Sequence, residues 1–553
     1  MKKLFLFLVV LLVSFYAQAQ TYNWAYSSGG SGWDDVKSTH LGNDNGTVMT
    51  GMFSNTASFG ATTLTSTAYQ DAFVAKYDQQ GNVLWAKAIS GNEQDWGYKV
   101  TTDNNNNVYV TGYFQSTALY FTPTDSIVKN VQSSRNVFLA KYNSNGVFQW
   151  AKLGSGGATN AYMTSRSVVT DNQNNIIISG DYNKQIQFGA STLPNTNTTN
   201  IFMVKFDPSG NVIWTKAGVS NSICWFADLA TDASNNIYAT GKISTAITFG
   251  ATTITNNQGD DMVIGKFDAS GNLLWMDVVG KSLSASTTAN NLDCGSSVKV
   301  DGSGNVFVGG SLVDTTYYDA NLNMLITKQF AFVAKYSNGG VQQWLKKFGN
   351  DEKDNINAID LDANGDVYAI GMYRSAFNVG GIALPNGAST NAFVAKFNKL
   401  NGNTIFAYQL GVSAAEVEGW GIGVNQQNGN VYTSGIYRGS CAFNANTINP
   451  QGVWDIFVVL LNNSVIQSTN DIVRDFNIEL FPNPATTTLS ILASSDIDLN
   501  NSAIKVYSSD GKLMNKRRVL SNKLIDVSDL KAGNYWLEIV NDEKRMIKLF
   551  AKY

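Results

Sequence analysis

The chain has 553 residues but only one histidine, His40, with seven prolines and three cysteines. A single histidine leaves almost no room for histidine-based catalytic triads or for most zinc sites. Charged residues make up 15% of the chain, against ~25% in ordinary soluble proteins. The 39 basic and 42 acidic residues nearly cancel, so no basic surplus points to nucleic acid or to an anionic membrane. No catalytic, cofactor-binding or metal-binding set stands out. Three cysteines, an odd number, leave at least one thiol unpaired within the chain. Cys224 and Cys294 could bridge, but buried free thiols acting as small apolar groups are the simpler reading. What is plentiful is glycine, at 49, and aromatic residues, at 12%. That mixture excludes a disordered chain, a coiled coil and a collagen-like repeat.

The N-terminus reads as a secretory signal. Lys2 and Lys3 precede an apolar run from Leu4 to Ala17, and Ala17-Gln18-Ala19 supplies the small residues of a cleavage site. Cleavage is expected between Ala19 and Gln20, making residues 1–19 the signal peptide. A membrane-spanning helix needs ~20 apolar residues, and neither this run nor any later one is that long. No transmembrane anchor is expected.

Self-similarity dominates the rest. The segments DAFVAKY from Asp71, NVFLAKY from Asn136, NIFMVKF from Asn200, DMVIGKF from Asp261, FAFVAKY from Phe330, NAFVAKF from Asn391 and DIFVVLL from Asp455 are seven copies of one strand. A second series, Trp24, Trp85, Trp150, Trp214, Trp275, Trp344 and Phe406, marks the strand that follows. A third, Gly51, Gly112, Gly180, Gly241, Gly310, Gly371 and Gly435, closes segments such as VYVTG. Alternation with period two means strands, and turns such as FDPSGN and DNNNN make tight hairpins. Each unit reads as four antiparallel strands, and seven such units make an all-β seven-bladed β-propeller over residues 21–463. Trp24 has no preceding third strand, and DIFVVLL has no following fourth one. The N-terminal strand is therefore expected to complete the last blade and bury Trp24 there, hiding two sheet edges. The units resemble the seven-bladed β-propeller repeats (SBBP type) of bacterial extracellular proteins, a likeness that implies fold and location but no single activity.

Periodicity stops after Leu461. Residues 464–476 read as a polar linker and 477–553 as a small Ig-like β-sandwich. This module is similar to the type A sorting domains of type IX secretion systems. The likeness rests on Phe481-Pro482-Asn483-Pro484-Ala485, on Val506-Tyr507 followed by Asp510-Gly511-Lys512, on Ile525 to Tyr535 and on the final basic strand. It implies recognition by the type IX secretion machinery, with Pro482, Asn483, Pro484, Gly511, Leu530, Gly533 and Tyr535 as the sorting motif. It also implies a secreted protein, or one on the outer surface of a Gram-negative cell.

Chemistry is harder to find. The Asp-rich turns resemble the start of a calcium loop, but position twelve from Asp362 is Tyr373 and from Asp301 is Leu312, not the required Glu. They read as side-chain-locked turns. Trp33, Trp96, Trp225 and Trp420 sit near the start of the first strand in four units, as a sugar-stacking ring or as filler between blades. His40 reads as a replaced turn residue. Features that break the repeat are the loop from Gly280 to Asn291, the charges Lys346, Lys347, Asp351, Glu352, Lys353 and Asp354, and the pair Glu416 and Glu418. Paired carboxylates could serve glycoside hydrolysis, but solvated loop charge accounts for them. The expectation is a binding or adhesion protein with an extracellular glycan or protein ligand, the alternative being a glycan-active hydrolase or lyase.

Overall fold

The computed structural model describes residues 22–67, 69–129, 134–156, 160–194, 198–256, 260–280, 293–319, 324–349, 354–375, 377–385, 389–413, 415–462, 479–492, 503–508, 512–517, 524–541 and 544–553. The signal residues Ala19 and Gln20, Gly511, Asp351–Lys353 and most of the Gly280–Asn291 loop lie outside them. The protein is all-β, with strands over 65% of the chain and no helix among the described residues. It divides into two compact units, Met1–Asn463 and Ser464–Tyr553.

In the first unit each repeat builds one antiparallel sheet, and the strands lie in chain order. Sheet 1 orders Asp35–Leu41, Thr47–Phe53, Asp71–Tyr77 and Val83–Ile89, and the pattern recurs through sheet 6, whose outer strand is Thr404–Leu410. In sheet 7 the order is Glu416–Val424, Val431–Arg438, Asp455–Leu461 and then Tyr22–Gly30, the N-terminal strand. Trp24 pairs with Leu460 and Ser28 with Ile456. The first strand of every sheet touches that of the next, and the first strand of sheet 7 touches that of sheet 1. These inner strands therefore follow one another in a closed cycle of contacts, each with a face turned away from the seams.

Alternation explains what fills the seams between sheets. The middle strands are buried along their whole length, as in Thr47–Phe53 and Asp71–Tyr77, so side chains on both faces pack against neighbouring sheets. Between the second and third strands most repeats carry a short hairpin of the kind ITFGATTI. In sheets 1, 3 and 4 it pairs onto the outer strand of the preceding sheet, covering part of that edge.

The Trp series is a staple between sheets. Four of its indole N–H groups donate to a carbonyl in the outer turn of the next sheet: Trp85 to Ser144 at 3.1 Å, Trp214 to Ala269 at 3.2 Å, Trp275 to Asn338 at 3.0 Å, Trp344 to Lys399 at 3.3 Å. That turn needs glycine twice over. Gly146 has φ +76°, and a Cβ there would lie 2.5 Å from the Trp85 ring. Trp24, expected buried, is half-buried instead; it packs beside Tyr26 and Tyr432 and against the Gly81 turn. Trp150, Trp214 and Trp275 are half-buried too, so partial cover is the ordinary state of this position at the outer edge of a sheet.

The Asp-rich turns close on themselves. Asp103 Oδ1 accepts the N–H groups of Asn105 and Asn107, both at 2.9 Å, and Asn107 Nδ2 reaches Oδ2 at 2.8 Å. Asp171, Asp232 and Asp301 repeat the arrangement. The Lys of the third strand then pairs with the turn carboxylate, as Lys205 does with Asp171 at 2.8 Å and Lys396 with Asp362 at 2.9 Å. Where the seventh repeat replaces Lys by Leu460, its turn replaces Asp by Asn425. The charges come and go together.

The second unit has two small antiparallel sheets around one core. One contains Glu479–Phe481, Thr488–Leu492 and Leu524–Asp526, the other Leu513–Arg517, Ala503–Ser508, Gly533–Asn541 and Lys544–Lys552. Leu480, Leu489, Val506, Ile525, Leu537 and Phe550 lie in that core. The three cysteines are free thiols.

Candidate functional site at the channel

Every inner strand carries a β-bulge at the same place, and the extra residue is Lys37, Tyr98, Arg166, Ala227, Ser296, Asn357 or Trp420. A bulge bends the strand and re-aims one side chain. Seven equivalent positions thus hold seven different residues. Three residues further on, the position paired with the third residue before the marker glycine is again different in every sheet: His40, Thr101, Val169, Ala230, Lys299, Asp360 and Gly423. Between these tiers the opposite face reads Thr39, Val100, Val168, Leu229, Val298, Ile359 and Ile422, almost uniformly apolar. The repeat is kept where it packs and abandoned where it meets the channel.

The bulge tier is aromatic and cationic. Lys37 Nζ lies 2.6 Å from Asp35, 4.2 Å from the centre of the Trp420 ring and 5.4 Å from that of Trp96. Trp225 is flanked by Arg166 at 4.7 Å and Lys242 at 4.3 Å. These cations pair in turn with Asp181 and Asp260. The tryptophan faces are occupied from within the chain. The four tryptophans, read as a sugar-stacking ring or as filler between blades, do not share one register position. Trp96 and Trp225 are equivalent, Trp420 is a bulge residue, and Trp33 precedes the strand and is 45% exposed.

In the second tier His40, Thr101, Lys299 and Asp360 are polar, and Lys99 and Asp228 stand nearby, one residue past their bulges. Lys299 Nζ pairs with Asp360 Oδ1 at 3.2 Å, and Asp360 Oδ2 accepts the Val424 N–H at 2.8 Å. Lys99 pairs with Asp228 at 2.7 Å, and Asp228 also accepts from Ser297 Oγ at 3.0 Å. His40 faces this group. Counting from Trp33 made it a turn residue, but it pairs with Val48 inside the strand and occupies the position of Lys299 and Asp360. Trp33 is not the equivalent of Trp96: Asp35 holds that register position, and counting from it puts Gly42 where Asp103 stands. Burial, with the Lys299 and Lys99 ammonium groups, lowers the imidazole to about 4 against the pull of Asp360. It is neutral at pH 7, one nitrogen donating and the other accepting. Lys299 is half-buried, and that desolvation lowers it, but Asp360 and Asp228 hold it above the ordinary lysine value.

Two adjoining cavities open here. One of about 270 Å³ is lined by His40, Asn43, Asn45, Lys299, Asp360 and Gln427. The other, about 450 Å³, lies over the turns at Asp301–Ser303 and Asp362–Gly365 and shares Lys299, Asp360 and Gln426. Lys99, Asp228, Lys299 and Asp360 were missed in the sequence, although lining up the seven inner strands exposes them. Glu416 and Glu418 do not join the cavities: Glu416 accepts from Ser389 Oγ at 2.8 Å, and Glu418 accepts from Trp420 Nε1 at 3.2 Å.

In the second unit the expected motif residues hold the final strand. Asn483 Oδ1 accepts the Ala551 N–H at 2.8 Å, Tyr535 stacks on Phe550 and donates to the Lys531 carbonyl at 2.9 Å, and Gly533 pairs with Lys552. Leu530 is buried in the core, whereas Pro482 and Pro484 are exposed.

Residues 479–552 match the family model of the secretion system C-terminal sorting domain, and residues 84–113 match that of the β-propeller repeat. An uncharacterized WD repeat-containing protein of Acanthamoeba polyphaga mimivirus is 28% identical over 239 residues, which is 36% of this chain and 16% of the relative. A solved protein of unknown function from Bacteroides caccae aligns at TM-score 0.30 and 8% identity, covering 58% of this chain and 93% of its own. The extracellular domain of a putative hybrid two component system from B. thetaiotaomicron aligns at TM-score 0.16 and 11% identity, covering 94% and 87%. Neither TM-score supports an argument about fold or ligand. Among the described residues no helix is long and apolar enough to cross a membrane. The chain carries β-propeller repeats and a C-terminal type IX secretion sorting domain, which makes it a secreted or cell-surface protein.

Proposed function

We propose that the chain is a seven-bladed β-propeller closed by Tyr22–Gly30, which binds an extracellular glycan or protein at the channel mouth around His40, Lys299 and Asp360. It carries no catalytic activity of its own. In this reading residues 1–19 are the signal peptide, 21–463 the propeller, 464–476 a linker and 477–553 an Ig-like sorting domain. That last domain addresses the protein to type IX secretion in a Gram-negative bacterium through Pro482, Asn483, Pro484, Gly511, Leu530, Gly533 and Tyr535.

The observation that carries the binding reading is the contrast between tiers. Packing positions repeat, while the channel positions differ in all seven sheets, as a surface fitted to one asymmetric ligand must. Charges at the mouth are already paired, and His40 is neutral, so the site offers directional donors and acceptors rather than a net field. That suits a polar ligand recognised by hydrogen bonds.

The test is a glycan and protein array probed with the mature chain and with the His40→Ala/Asp360→Asn variant. A ligand bound by the first and lost by the second is expected. A ligand bound equally by both would place recognition elsewhere, and turnover of a bound glycan would make the protein an enzyme.

A further inference from the structure

The third strands begin at seven equivalent positions: Asp71, Asn136, Asn200, Asp261, Phe330, Asn391 and Asp455. The next sheet around the ring sets against each the residue that opens its inner strand: Asp95, Met163, Cys224, Asp293, Asp354, Val417 and Asp34. The two sets are not independent. Three seams are Asp with Asp: 71 with 95, 261 with 293, 455 with 34. In three more, Asn meets an apolar residue, Met163, Cys224 or Val417. An aspartate opens a third strand only where a second carboxyl faces it.

The paired carboxyls are buried, none more than 1% exposed. At the seam joining sheet 7 to sheet 1, Asp34 accepts the Gly30 N–H at 2.7 Å and the Ser54 N–H at 3.2 Å, and Asp455 Oδ2 accepts the Gln451 N–H at 2.6 Å. The remaining Asp455 oxygen, Oδ1, has no hydrogen-bond donor. A Cβ on Gly29 would lie 2.7 Å from that oxygen and 2.8 Å from Asp34 Oδ2, so both carboxyls turn to one point. Gly280 sees the same at the third pair, 2.6 Å from Asp261 Oδ1 and 2.6 Å from Asp293 Oδ2. In the second pair Asp71 accepts from the Thr67 and Gly91 N–H groups, and Asp95 from Ser116 Oγ at 2.7 Å.

Other titratable groups near the pairs are few among the described residues. Tyr437 faces Asp455, Tyr113 faces Asp95, and Lys347, Asp260 and Cys294 face Asp293. Among the described residues Lys347 stands near the third pair, and Arg135 lies over the Tyr113 ring that faces Asp95. Two buried carboxyls that face each other resist ionising together.

We propose that the Asp34–Asp455 and Asp261–Asp293 seams each hold one proton shared between their two carboxyls, and that the Asp71–Asp95 seam holds one on either carboxyl, which makes closure of the sheet ring sensitive to pH. Burial, reinforced by the facing carboxylate, raises Asp34, Asp95 and Asp293 to about 7, and burial raises Asp71 to about 6. These folded-state values lie above the unfolded ~3.9. The folded chain therefore binds more protons, and the stabilisation present at acid pH is lost as pH rises through 6 to 7. The Asn seams show what a carboxamide does in place of a protonated carboxyl. Asn200 Oδ1 accepts the Ser220 N–H at 3.1 Å, at the position where Asp71 Oδ1 accepts from Gly91.

The experiment is thermal melting of the full mature chain from about pH 5 to pH 8.5. The melting temperature is expected to fall by several degrees across that range. Asp34→Asn, Asp95→Asn and Asp293→Asn, combined, should flatten the slope, because each amide donates to its ionised partner at any pH. A flat or rising wild-type profile, or a slope that survives in the triple variant, would overturn the proposal. So would a calcium-dependent rise in the wild-type melting temperature at pH 8.5 that the variant lacks, since the pairs would then hold a cation. Should the variant fail to fold, infrared spectroscopy of the wild type decides. The band of protonated carboxyls must be present at pH 5 and vanish by pH 8.5, and its absence at pH 5 rejects the shared proton.

Discussion

The indole N–H of Trp24, at the start of the first unit, donates at 3.4 Å to the carbonyl of Gln79 in the outer turn of sheet 1. The same side chain belongs to a strand that pairs with the last strand of the repeat, through Leu460. One residue therefore joins the beginning of the chain to both its neighbours in the ring. Trp24→Ala should destabilise the first unit by about 3 kcal/mol, the low end for a large aromatic because the ring is half-buried. Chemical denaturation checks this. A variant as stable as wild type would mean that closure does not depend on the staple.

The Lys–Asp pairs give a second outcome. Lys205 and Asp171 are buried, with side chains 7% and 0% exposed. Lys205→Leu alone strands a carboxylate and should cost about 3 kcal/mol. Adding Asp171→Asn recreates the Leu460 and Asn425 combination of sheet 7, and most of the loss should return. A double-mutant cycle reads the coupling directly. Independent, additive effects would contradict the pairing.

His40 provides a third. As the sole histidine, it gives one imidazole signal in the NMR spectrum without need of assignment. Its midpoint is expected near 4, well below the ordinary ~6.5. The folded value is lowered, so its contribution to stability is present above pH ~6.5 and lost as pH falls towards 4. That slope opposes the one from the carboxyl pairs. A midpoint near 6.5 would mean that the imidazole is solvated rather than enclosed.

The tail supplies a fourth. The second unit has its own core, so deleting residues 464–553 should leave the melting temperature of the first nearly unchanged. With its signal peptide intact, the truncated chain should cross the inner membrane and accumulate in the periplasm. Cell fractionation and protease shaving check both. Surface display without the tail would reject the sorting role.

Much of the fold could be read from residues alone. Lys76, Trp85, Gly112 and their copies are scaffold, and repetition made them visible. What stayed hidden was the channel. Lys99, Asp228, Lys299 and Asp360 sit on inner strands, where the repeat is weakest because those positions do not pack. His40 was misplaced because the count began at Trp33, two residues before Asp35, the true register equivalent of Trp96. The tryptophans misled for a related reason: closeness in sequence to the strand start did not mean equivalence in register. The carboxyl pairs were invisible because each partner comes from a different repeat, some 24 to 32 residues apart or, for Asp34 and Asp455, at opposite ends of the unit.

The most direct test of the binding account uses the same imidazole as a reporter. The NMR signal of His40 is followed while any ligand identified on the array is added to the mature chain. The account expects the signal to shift in proportion to occupancy, with Asp360→Asn weakening binding at least tenfold. A ligand that saturates the protein while the His40 signal stays fixed would contradict it.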